Sequence, residues 1–148
     1  MAHRLFHKAV AAVFSLTMLS YASGSAAHDA GATMDPNGNV AAFTGYALVT
    51  CSGGSDNLVA SIKDTSPSKD NLLVNLQIIK GNHAINTTDP VPGDGNFSPE
   101  VRVHGGDGVY QLLVNKTKAG ARSFIVSYHC ISANGVHTDT DITVQQFE

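Results

Sequence analysis

The chain has 148 residues, with 9 Lys and Arg against 12 Asp and Glu, and is 43% hydrophobic with no Trp. That length suits one domain. The mildly acidic balance argues against nucleic acid as a partner, because phosphate backbones are bound largely through Lys and Arg.

Residues 1–27 read as a secretory signal peptide. Arg4 and Lys8 form a positive start, Ala9 to Leu19 is uncharged and apolar, and Ser25-Ala26-Ala27 fits a small-x-small cleavage site. The apolar run is shorter than the roughly 20 residues that cross a bilayer. Cleavage after Ala27 makes His28 the new N-terminus. It removes two of the nine basic residues and no acid, so the formal charge moves from −3 to −5. The expected location is secreted or periplasmic, with no membrane span after cleavage.

Residues 28–39 (HDAGATMDPNGN) are polar and rich in turn formers, and read as a leader. A single domain is expected over 40–148. Val40 to Cys51 carries the first strand or strands, with a break near Gly45. Asn57 to Lys63 alternates, with Leu58, Ala60 and Ile62 on one face. Leu72 to Lys80 is the clearest strand: Leu72, Val74, Leu76 and Ile78 face one way, and Leu73, Asn75, Gln77 and Ile79 the other. Short strands follow at Ala84 to Thr87 and Glu100 to His104. Between them, Asp89 to Pro99 is a Pro- and Gly-rich loop. Val109 to Asn115, Ser123 to Ser132 and Asp141 to Phe147 complete the series, separated by Gly- and Asn-containing turns. Lys116, Lys118 and Arg122 read as decoration of one such turn. About eight short strands with regular turns predict an all-β antiparallel sandwich, of jelly-roll or immunoglobulin-like topology.

Cys51 shares a face with Ala47 and Val49, and Cys130 with Phe124, Val126 and Tyr128. Two cysteines on inward faces of different strands predict one intersheet disulfide in an oxidising compartment. Closing so long a loop is worth roughly 4–5 kcal/mol.

Leu72 to Ile79, the strand Gly108-Val109-Tyr110-Gln111-Leu112-Leu113-Val114, Gly120 and Phe124 to Tyr128 together resemble the bacterial pre-peptidase C-terminal domain. That resemblance implies a jelly-roll accessory module of secreted proteins that is not itself catalytic. The triplet Tyr128-His129-Cys130 also resembles the Tyr-x-Cys of immunoglobulin-type sandwiches.

Five histidines follow the cleavage site. Imidazole is a common metal ligand, and His28, if it becomes the N-terminus, offers both an amine and a ring nitrogen. His28 with His104, His129 or His137 is therefore a candidate copper or zinc site. Asp35-Pro-Asn37-Gly-Asn39 begins like a calcium loop but lacks the later ligands. The sequence has no Gly-x-Ser-x-Gly elbow. The functional expectation is a non-enzymatic exported module that binds a protein, glycan or surface through a sheet face or loop end. A copper- or zinc-binding exported protein is the alternative. Outward Leu73 and Ile79 mark a candidate patch.

Overall fold

The computed structural model describes residues 27–147. The signal peptide read over residues 1–27 lies outside the described residues, apart from Ala27. Nine strands form among the described residues: β1 (His28–Met34), β2 (Thr44–Ser52), β3 (Asn57–Asp64), β4 (Val74–Lys80), β5 (His83–Thr88), β6 (Val101–His104), β7 (Gly108–Lys116), β8 (Arg122–Ile131) and β9 (Asp139–Phe147). They build two antiparallel sheets, ordered β1-β8-β3-β6 and β5-β4-β7-β2-β9.

The ladders β1–β8, β2–β7, β3–β6 and β4–β5 are nested, as if one long hairpin had been bent at the β4–β5 turn and wrapped into two sheets. This is the jelly-roll order, with β9 added beyond β2. It decides between the two expected topologies, and the immunoglobulin-like reading is not the one adopted. Tyr128 accordingly sits in the core at 5% exposure, not at a sheet corner.

The core follows from period-two alternation. Val49 and Cys51, Leu58 to Ile62, Val74 to Ile78, Tyr110 to Val114 and Phe124 to Cys130 send their inward members between the sheets. Cys51 on β2 and Cys130 on β8 form the disulfide that ties the two sheets, with Cα atoms 5.6 Å apart. Gly45 does not interrupt β2. The neighbouring β2–β9 ladder shifts register between Tyr46 and Ala47.

Two expectations change. The segment read as a leader carries β1, which pairs with β8 from His28↔Tyr128 to Met34↔Arg122. Met34 is fully buried, and Ala30 and Ala32 pack against the core. Among the described residues the sandwich therefore includes His28–Met34. Ala, Gly and Asp have little strand propensity of their own, so β1 exists because β8 offers it a ladder. Lys116 and Arg122 do not decorate a turn. Both are buried, Lys116 against Asp35 at 2.7 Å and Arg122 beside Asp64 at 3.5 Å. Lys116 lies two positions beyond Val114 on the inward face of β7, so strand alternation carries it inside. Its ammonium also donates to the carbonyls of Val40 and Lys118.

Candidate functional site

The β-strand registers set the outer face of the five-stranded sheet into rows. Thr88, Asn75, Asn115 and Thr44 form one row across β5, β4, β7 and β2. Asn86, Gln77, Leu113 and Tyr46 form the next, and Ala84, Ile79, Gln111 and Leu48 the third. None of these residues carries a formal charge. Thr88 Oγ1 donates to Asn75 Oδ1 at 2.7 Å, Asn75 Nδ2 donates to Asn115 Oδ1 at 2.9 Å, and Gln77 Nε2 donates to Asn86 Oδ1 at 2.7 Å. These bonds hold the amides in place and leave them further capacity, since each amide has two N–H donors and a carbonyl with two lone pairs. They line a recess of about 260 Å³ formed by Asn75, Leu76, Gln77, Asn86, Thr88 and Asn115. Beside it, half-buried Tyr46, Leu113, Leu48 and Ile79 supply apolar surface. Leu73, also half-buried, precedes β4 and stands apart from these rows.

The loop ends are less available. Asp107 accepts the amides of Gly54 and Ser55 at 3.1 and 2.7 Å, and Lys80 donates to the carbonyls of Gly106 and Asp107. Hydrogen bonds from Ser55 and Gly54 hold the Asp107 carboxyl below the usual carboxylate range. Its capacity is spent on the turn itself.

The four candidate histidine ligands divide into three places. His28 opens β1 and its ring stacks on Tyr128, with centroids 5.8 Å apart. His104, at the end of β6, bonds Asp56 through Nδ1 at 2.7 Å. His129 and His137 meet on the outer face of the four-stranded sheet, rings 4.4 Å apart and nearly parallel. Their pairing comes from the β8–β9 connection, which folds back through the bridge Ile131↔His137. Burial, then the charge of His137, lowers the His129 pKa, with Glu100 opposing and Arg102 and His28 adding to the effect. Parallel stacking faces rings together and does not aim two nitrogens at one point. Among the described residues no group of three His, Cys, Asp or Glu side chains is placed to hold a metal ion. Of the four candidate ligands, only His129 and His137 are brought together.

The segment from Asp35 to Asn39 turns its one carboxylate onto the protein itself. Asp35 sits at φ 48° and accepts Asn39 N at 2.9 Å, Gly120 N at 2.9 Å and Lys116 Nζ at 2.7 Å. Burial alone would raise its pKa, but the hydrogen bonds from Lys116, Gly120, Val40 and Asn39 outweigh it and hold the carboxyl far below the usual range. Both Asp35 carboxylate oxygens are thus engaged within the protein.

Asn86, Thr88 and Asn115 were not legible as site residues from the sequence. Alternation put Asn75 and Gln77 on the outer face, but only the cross-strand registers put the amides side by side. No protein-family model, curated protein or solved structure matches the chain.

Proposed function

We propose that this chain is an exported, non-enzymatic binding module that holds a neutral glycan on the outer face of its five-stranded sheet. The observation that carries the reading is the uncharged grid of Asn75, Gln77, Asn86, Thr88 and Asn115 beside Tyr46 and Leu113. Sugars present hydroxyl edges, which need paired donors and acceptors, and C–H faces, which pack on aromatic and aliphatic side chains. Asn and Gln are the side chains that offer both hydrogen-bond roles without charge, and Tyr supplies an apolar body with a polar tip. A charged ligand would meet no countercharge here. The recess also holds no carboxylate, imidazole or thiol to act as acid, base or nucleophile, which favours binding over catalysis at this face. Export rests on the signal-peptide reading, and a disulfide suits an oxidising compartment.

The test is affinity for neutral polysaccharides and their oligosaccharides, measured on the protein starting at His28 and on its Asn75→Ala/Gln77→Ala variant. The reading predicts binding by the parent and a loss of at least about tenfold in the variant, equivalent to about 1.4 kcal/mol. Both residues are half-buried and the variant loses the Thr88–Asn75, Asn75–Asn115 and Gln77–Asn86 bonds, so the melting midpoint should fall by the equivalent of about 0.5–1.5 kcal/mol per bond with the fold retained. Equal affinity of the two proteins, or no neutral glycan bound by the parent, contradicts it.

A further inference from the structure

The two sheets do not seal along one side. β1 is the terminal strand of the four-stranded sheet and β9 that of the five-stranded sheet. Between them opens an apolar slot of about 160 Å³. Small residues make the space: Ala30 and Ala32 on β1, Gly45 and Ala47 on β2. Phe124 and Val126 form its floor. Protein interiors are close-packed and tolerate few voids larger than a water molecule. An apolar cavity of this size is comparable to one that accepts a benzene ring, so the slot has room for one large aliphatic or aromatic side chain.

The borders of the slot decide what kind of ligand fits. Among the described residues β1 pairs only with β8 and β9 only with β2, so each has one edge without a strand partner there. Exposed edges are normally blunted by Lys, Pro or a bulge. β9 has the register shift opposite Tyr46 and Ala47. β1, with sequence HDAGATM, has no Lys, Pro or bulge, and its one formal charge, Asp29, lies at its start, ahead of Ala30 to Met34. A hydrocarbon ligand would fill the cavity and leave that edge as it is. A polypeptide satisfies both features at once, through main-chain hydrogen bonds along the edge and side chains in the slot.

We propose that the slot is a peptide-docking site: an extended segment of a partner protein adds as a strand to the free edge of β1 and drops an apolar side chain into the cavity. The partner segment is uncharged, free of proline, and apolar at alternate positions, since strand side chains alternate between faces. The slot shares Tyr46 with the glycan face, and neither proposal depends on the other.

Amide hydrogen exchange read by NMR tests it. The probe is a capped octapeptide alternating threonine and valine, added to the protein starting at His28. At a peptide concentration about ten times its Kd, exchange of the β1 amides should slow by about tenfold. Ala32→Leu on β1 and Ala47→Leu on β2 each fill the slot from a different strand, and each should abolish the slowing while β3 amides keep their exchange rates. Two filling variants guard against one of them disturbing its own strand. Three results overturn the proposal: β1 exchange unchanged at millimolar peptide, slowing that survives both filling variants, or shifts of the slot residues with benzene but not with the peptide. The last would make the slot a site for small hydrocarbons.

Discussion

Replacing both cysteines, Cys51→Ala with Cys130→Ala, removes the only covalent tie between the two sheets seen among the described residues. The bridged residues are 79 positions apart. A loop of that length, opened in the unfolded chain, releases entropy worth about 4.5 kcal/mol at 25 °C. Both residues are at most 1% exposed, so the loss of two buried sulfur atoms adds a packing cost. Domains of this size have only about 5–15 kcal/mol of stability in total. The variant should therefore sit near the margin of folding. Urea unfolding followed by circular dichroism measures the difference. With a slope of about 2 kcal/mol per molar urea, the midpoint should fall by about 2 M. Adding reductant to the parent should reproduce most of that fall. A shift under about 0.5 M with an unchanged slope would refute the loop-closure reasoning, because the unfolded chain would then be held compact by something else.

Four further outcomes follow from the buried polar groups and one tight turn. Lys116→Met strands the Asp35 carboxylate and should lower the melting midpoint sharply, while Asp35→Asn/Lys116→Met should recover much of the loss. Because the folded Asp35 pKa lies below its ordinary value of 3.8, its contribution is complete above that value and fades as pH falls below it. Acid unfolding curves of the Asp35→Asn protein should be flatter there. The folded His129 pKa lies below 6.5, so the unfolded chain takes up the proton first as pH falls through that value. Stability should decline from pH 7 to pH 5, and His129→Phe should reduce the decline; a parent whose midpoint is constant over that range contradicts the assignment. Gly120 lies at φ +143°, and a Cβ there would run into fully buried Leu72. Gly120→Ala should cost about 1–3 kcal/mol in chemical denaturation.

Much of the sandwich was legible because its central strands alternate cleanly. Leu72 to Lys80 and Phe124 to Cys130 announce both their strand character and their buried faces, and Cys130 falls on one of those faces as Cys51 falls on that of Val49. β1 escaped because its residues are small and polar; a strand with weak propensity is made by its partner, and the partner ladder is a long-range fact. Lys116 and Arg122 escaped for a different reason. The alternation that buries Val114 and Phe124 also carries these two inward, but charge argued for the surface, and the acids that receive them, Asp35 and Asp64, are distant in sequence. The amide face lay in between. Asn75 and Gln77 were visibly outward, yet their alignment with Asn86, Thr88 and Asn115 depends on two registers that no local pattern encodes. The histidines show the converse, since a shared residue type suggested one site and the strands distribute it over three places.

The central claim is that the neutral amide face is the binding surface. The most direct measurement is a two-dimensional NMR titration of the nitrogen-15-labelled protein with neutral oligosaccharides, read at the side-chain amides. The account predicts that Asn75, Gln77, Asn86 and Asn115 shift together at one saturating concentration while signals around His129 and His137 stay still. Shifts confined to the histidine face or the loop ends, or no shift with any neutral sugar, would contradict it.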